Sequence, residues 1–198
     1  MDGMTMRRRI IMNTPPPELP RQYVRIDGIV FDGDSHFITD YYMRGSDTLD
    51  FTYRATANGN VLGTYTSSSS DSNYSYYHTN VSAGAYIRYD GTLKRYAVSH
   101  NQDLHLVMMP DGCTVNGTTA ATWTAKSFTS EERLWLGMLP NSTAASLKGI
   151  LVGEIIVPGR FKAIPCKRKA DNEIGYYDPY SKTFYVNQGT GTVTEYTS

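Results

Sequence analysis

Apolar and polar residues alternate with period two along most of this chain, and turn residues break the alternation about every 8–12 positions. Tyr23, Val24, Ile26, Ile29, Phe31, Phe37 and Ile38 fall in short runs punctuated by Gly28 and Asp32-Gly33-Asp34, which reads as a hairpin turn. Leu49, Phe51 and Tyr53 alternate up to Asn58-Gly59-Asn60, and Val61 to Tyr65 return, again a hairpin pattern. Tyr86 to Tyr89, Asp90-Gly91 and Leu93 to Val98 repeat it. Leu104, Leu106 and Met108 lead to Pro110-Asp111-Gly112, and Thr114-Val115-Asn116-Gly117 starts another pair. Leu134 to Leu136, Gly149 to Val157, Phe161 to Ile164, Thr183 to Val186 and Thr192 to Tyr196 follow. Thr129-Ser130-Glu131-Glu132 fits a helical capping box. Pro140 stops any helix early and Leu134, Leu136 and Met138 alternate, so a strand preceded by one helical turn is expected there. About a dozen short strands without room for βαβ crossovers predict an all-β sandwich or barrel.

A chain of 198 residues fits one domain with short appendages and needs no covalent staple. Residues 1–18 stand apart as an N-terminal arm, holding Arg7, Arg8, Arg9, the apolar anchor Ile10, Ile11 and Met12, and Pro15-Pro16-Pro17. Such a segment is either disordered or orders against a partner. Residues 19–198 form the β domain. The three-residue apolar patch falls short of the roughly 7–15 residues of a secretory core, so no export signal is expected. No apolar run approaches the roughly 20 residues of a membrane helix, so no membrane insertion is expected. Nineteen basic and nineteen acidic residues cancel, which excludes a chain-wide nucleic-acid footprint. Cys113 and Cys166 lack metal-ligand spacing and read as free thiols of a protein made in a reducing cytoplasm, a disulfide being permitted but not demanded. Ser67 to Asn73 is a polar low-complexity loop.

Tests for chemistry return little. A glycosidase needs two carboxylates facing each other across a cleft. Glu131 and Glu132 are adjacent, Glu154 stands alone on a strand and Glu173 lies in a turn, so no catalytic residue is assigned. The run from Asp32 starts like a calcium loop but has Phe37 at its sixth position and Met43 at its twelfth. His36, His78, His100 and His105 have no paired spacing, so neither metal nor cofactor is expected. Gly189-Thr190-Gly191 opens no helix and is no dinucleotide fingerprint. Lys167-Arg168-Lys169 reads as a solvated turn. Asn73, Tyr74, Tyr76, Tyr77 and Trp123 remain as ligand-binding candidates, because aromatic faces stack on sugars and amides bond their hydroxyls. The same residue types serve strand packing and subunit contact. Tyr74 and Tyr76 share one strand face, with Tyr77 on the other, and one of those faces is available to the core.

Both ends of the β region carry a resemblance. Leu19-Pro20-Arg21-Gln22-Tyr23-Val24-Arg25-Ile26 with Gly33-Asp34-Ser35-His36-Phe37-Ile38-Thr39 is similar to the opening of many phage and prophage structural proteins. Phe161 to Cys166, Asn172-Glu173-Ile174-Gly175-Tyr176-Tyr177-Asp178, Lys182 to Asn187 and Gly189-Thr190-Gly191-Thr192 resemble their ending. The family has glutamate and an aromatic residue where Asp27-Gly28 stands here, and leucine at Tyr176. The resemblance implies a concanavalin A-like (laminin-G-like) jelly-roll sandwich of two antiparallel sheets. It also implies a non-enzymatic virion component, in a tail, baseplate, fibre or capsid decoration. The implied partners are other virion proteins through the arm, further copies of itself, and a host-surface glycan. The alternative is a glycan- or receptor-binding lectin domain for host attachment. Physically, the closing motif reads as structural: Gly175, Gly189 and Gly191 suit positive φ, and Phe184, Val186 and Tyr176 face the core.

Overall fold

The computed structural model describes residues 19–65, 74–78 (76–78 as backbone), 85–140 and 145–198. The N-terminal arm with Arg7, Arg8, Arg9, Ile10, Ile11 and Met12, and the serine-rich loop ending at Asn73, lie outside the described residues.

Every described element is a β-strand. They run β1 (Tyr23–Arg25), β2 (Gly28–Asp32), β3 (Phe37–Arg44), β4 (Leu49–Ala55), β5 (Gly59–Gly63), β6 (Tyr74–His78), β7 (Ala85–Tyr89), β8 (Thr92–Tyr96), β9 (Leu104–Met109), β10 (Gly112–Val115), β11 (Thr118–Thr122), β12 (Thr129–Leu136), β13 (Lys148–Val157), β14 (Phe161–Arg168), β15 (Ile174–Asp178), β16 (Thr183–Val186) and β17 (Val193–Tyr196). One sheet follows the order β11-β10-β9-β4-β13-β14-β15-β16, with β2 on β13, β17 on β2 and β1 on β14. The other follows β3-β12-β5-β6-β7-β8. The chain changes sheet at β2–β3, β3–β4, β4–β5, β8–β9, β11–β12 and β12–β13. That alternation is jelly-roll connectivity, and it makes an antiparallel sandwich of the kind the sequence predicts.

Alternation explains the core. Leu49, Phe51, Tyr53 and Ala55 of β4 are buried, with Leu104, Leu106 and Met108 of β9 beside them. Ala85, Ile87 and Tyr89 of β7 are buried on the facing sheet. Each large side chain so removed from water contributes about 1.5–3 kcal/mol.

Asp90-Gly91 and Asn116-Gly117 are tight hairpin turns, with φ of 45° and 74°, then 49° and 77°. Two other expected hairpins are corners instead. Asp32-Gly33-Asp34 carries the chain from β2 to β3, and Asn58-Gly59 carries it from β4 to β5, each crossing between sheets. Turn residues bend the chain locally; which strand pairs with which is decided by the faces that must be buried. Gly59 is required by close approach, since a side chain there would strike the Ser146 carbonyl. The expected helical turn at Thr129 is also absent: β12 starts there, opposite Arg44.

The closing motif is structural, with two corrections. Tyr176 is fully buried, but Tyr185 takes the inward position on β16 while Phe184 and Val186 are half-buried. Phe184 stacks on Tyr23 (5.0 Å, 27°) under the Arg168 guanidinium. Gly175, Gly189 and Gly191 do not have positive φ. They exclude side chains that would meet the Tyr185 carbonyl, the Asp34 carbonyl and the Asp32 carboxylate.

Those glycines let the two ends of the domain interlock. Asp32 Oδ1 accepts from Asp34 N and Ser35 Oγ (3.0 Å each), and Oδ2 accepts from Thr192 N and Oγ1. Asn187 Oδ1 accepts from His36 N and Gly189 N (3.0 Å each), while its Nδ2 donates to Gly191 O (2.8 Å). β17 then pairs with β2. Cys113 and Cys166 are buried free thiols, each pushed up to about 12 by burial.

Candidate functional site

β3 is the edge strand of the six-stranded sheet. Its inward residues Phe37, Thr39 and Met43 are buried, and Asp40, Tyr42 and Arg44 face solvent. Its register with β12 breaks twice, pairing Thr129 with Arg44, Arg133 with Tyr42, and Trp135 with Ile38. Such bulges re-aim side chains and are common beside functional sites.

Two turns of the other sheet rise beside Asp40 and Tyr41 of β3: the β13–β14 turn with Arg160, and the β15–β16 turn with Tyr180 and Ser181. The segment Lys126–Phe128 lies against Arg44 and Gly45 at the C-terminal end of β3. Between them run three adjoining depressions of about 260, 490 and 360 Å³. The first and second share Asp40 and Tyr41, and the second and third share Arg44 and Thr129. Together they make one groove along β3. Tyr42 (45 % exposed) and Tyr180 (40 %) offer it aromatic faces.

Beneath it, the 44–47 turn is pinned from inside the sandwich. The buried Asp47 carboxylate accepts from Tyr41 Oη and Arg44 N, both at 2.7 Å, and its other oxygen lies 3.5 Å from Arg160 Nε. Burial, then the Asp47 carboxylate, raises the Tyr41 hydroxyl far above its usual range, so Tyr41 stays a protonated donor. Tyr74 Oη lies 3.1–3.3 Å from the carbonyls of Arg44, Gly45 and Asp47. Tyr89 Oη donates to Gly45 O (2.9 Å) and accepts from Lys126 N (2.8 Å).

Tyr74 therefore corrects the sequence expectation. It is fully buried and packs edge-on to Tyr89 (5.1 Å), because the Tyr74 face of β6 is the one turned to the core. Trp123 is half-buried; its ring stacks on Tyr89 (5.0 Å, 10°) and its Nε1 donates to Met109 O (3.2 Å). It too belongs to the support beneath the groove. Tyr76 and Tyr77 pair as backbone with Ile87 and Tyr86; their side chains, like Asn73, are outside the described residues. A smaller depression of about 190 Å³ beside β6 is lined by Tyr65, Tyr86, Arg88 and Leu93, with the Arg88 guanidinium 4.6 Å over the Tyr65 ring.

Two of the groove's acids have holding roles. Asp178 accepts backbone amides from Tyr180 (2.9 Å), Lys162 and Ser181 (3.4 Å each), which shapes the turn. Asp47 is tied as above, whereas Asp40 is exposed on the groove, 3.8 Å from Arg133. What remains for a ligand is a set of aromatic faces, hydroxyls and cationic heads, which is recognition chemistry. Sequence reading missed Tyr42, Arg44, Arg160 and Tyr180. The one local signal was the period-two spacing of Asp40, Tyr42 and Arg44.

No protein-family model matches the sequence, and a search of curated proteins finds no match. Among solved structures the chain is similar to a native heptameric SAP-like pentraxin from Limulus polyphemus. The identity is 16 %, the match covers 67 % of this chain and 76 % of that one, and the TM-score is 0.47.

Proposed function

We propose that this protein is a non-enzymatic component of a bacteriophage particle. Its N-terminal arm docks on neighbouring particle proteins, and its β-sandwich holds the β3 groove outward to grip a surface saccharide or receptor. One observation carries this reading: the arm side and the groove are at opposite ends of β14. Residues 21–23 lie at its far end, where Lys169 N donates to Gln22 O (2.9 Å) and Tyr23 pairs with Arg168. Arg160 and Phe161, at its start, adjoin the groove. Eight residues of strand separate the two by roughly 23 Å at about 3.3 Å per residue. Docking at one end leaves the other free. Many copies on a particle would turn weak single contacts into avidity.

The saccharide reading is favoured by the two solvent-exposed tyrosines on the groove, a residue type that stacks on sugar rings while its hydroxyl stays wet. The phage assignment is supported by the opening and closing residues, which meet in the Asp32–Asn187 interlock. Hydrogen exchange on the free protein beside the assembled particle tests the arrangement. Amides of residues 6–18 should slow on assembly while 40–47 stay unchanged. Slowing over 40–47 with an unchanged arm would reverse the orientation and refute it.

A further inference from the structure

Nine carboxylate pairings occur among the described residues, and they divide by place. Away from the groove, Arg25, Arg54, His105, Lys162, Lys167 and Arg168 approach their acids at 2.6–2.8 Å. The three long pairings are all at the groove: Arg160–Asp47 at 3.5 Å, Arg133–Asp40 at 3.8 Å and Lys126–Asp90 at 3.9 Å. Arg44, which joins the second and third depressions, lies within ion-pair distance of no described acid. Those three cations are paired, loosely, and Arg44 stands beside the exposed Tyr42 without an acid partner among the described residues.

From this juxtaposition of the unpaired Arg44 guanidinium and the exposed Tyr42 ring, we propose that the groove takes an acidic saccharide. A uronate carboxylate would be gripped by Arg44, and the adjoining rings would lie against Tyr42. The inference rests on the groove being the recognition surface proposed above and names its ligand class. An arginine fork matches a carboxylate with two parallel N–H donors, and such charge-assisted bonds are roughly twice as strong as neutral ones. A neutral sugar would leave those donors to water. Arg160, 3.5 Å from the buried Asp47, is held to the groove wall beside Tyr180.

The test is a panel of polygalacturonate, hyaluronate and alginate, each native and carboxyl-reduced, with dextran and dextran sulfate beside them. It is read by titration against the full chain, Arg44→Gln and Tyr42→Ala. At least one native uronate polymer should bind. Carboxyl reduction should weaken it tenfold or more, and Arg44→Gln should bring native and reduced forms to the same affinity. Tyr42→Ala should weaken both forms by a similar factor. Equal binding of native and reduced forms, or binding only of uncharged polymers, would overturn the acidic preference and leave the groove as a saccharide site. Dextran sulfate binding as tightly as any uronate, with the same response to Arg44→Gln, would overturn it in favour of a generic anion surface. No binding by any polymer would overturn the saccharide reading itself. Retention of the wild-type melting temperature by Arg44→Gln separates lost recognition from lost folding.

Discussion

The Asp32–Asn187 interlock and the β3 groove handle polar groups in opposite ways. At the interlock, one carboxylate and one amide take up four backbone N–H groups, two hydroxyls and a carbonyl, and glycines clear the space between segments. Nothing is left over for a visitor. At the groove the nearest cation–carboxylate approaches stretch to 3.5–3.9 Å and large tyrosine faces stay wet. The contrast teaches that the most conspicuous motif in a sequence can be the part that closes the fold. A recognition surface is what the fold leaves unspent.

The largest expected effect tests where support ends and surface begins. Tyr74→Ala should cost about 3–5 kcal/mol in urea unfolding, because a buried ring and the hydroxyl under the 44–47 turn are both lost. Tyr74→Phe removes the hydroxyl alone and should cost about 1 kcal/mol. A loss below about 0.5 kcal/mol for the alanine variant would mean that Tyr74 lies on the surface after all.

Next comes the interlock. Asp32→Ala or Asn187→Ala should each cost about 1–3 kcal/mol, since each strands several donors. The double variant should cost less than the sum, because both residues fix the same two segments. Saccharide affinity at the groove should not change in either. Additive costs would break the interlock into independent turns.

A smaller effect comes from acid. Hydrogen bonds from Thr192 and Asp34 hold the Asp32 carboxyl at about 2, below its usual 3.8. A depressed folded value means that the stabilising contribution is complete above the unfolded value and is lost as pH falls through about 2. Unfolding midpoints should therefore drop between about pH 4 and pH 2, and Asp32→Asn should flatten that part of the curve. An unchanged curve would remove Asp32 from the account. Smallest of all, Arg44→Gln should move stability by no more than about 0.5 kcal/mol.

Much of the fold was legible because alternation is a local property. The inward residues Leu49, Phe51 and Tyr53 of β4 and Leu104, Leu106 and Met108 of β9 are the ones that the period-two pattern selects. Turn chemistry was legible where φ itself is demanding, as at Asp90-Gly91 and Asn116-Gly117. It failed at Asp32-Gly33-Asp34 and Asn58-Gly59, where the same residue types turn a corner between sheets. Phe184 and Val186 were assigned inward where Tyr185 is, because neighbouring apolar residues leave the face open; the stacking of Phe184 on Tyr23 at the outer face decides it. The groove was legible only in the period-two spacing of Asp40, Tyr42 and Arg44. Tyr42, Lys126, Arg160 and Tyr180 come from four stretches of chain with no fixed spacing, and topology alone brings them together. The tyrosine-rich run at β6 drew attention instead, and Tyr74 proves to hold the groove up from beneath.

The division of labour between the two regions is tested most directly by amide shifts in a two-dimensional nuclear magnetic resonance spectrum, recorded while a bound uronate polymer is added. Residues 40–47, 126–129 and 180–182 should shift together, with 32–36 and 187–192 unmoved. Shifts centred on 32–36 and 187–192, or on β1 and the end of β14, would contradict it.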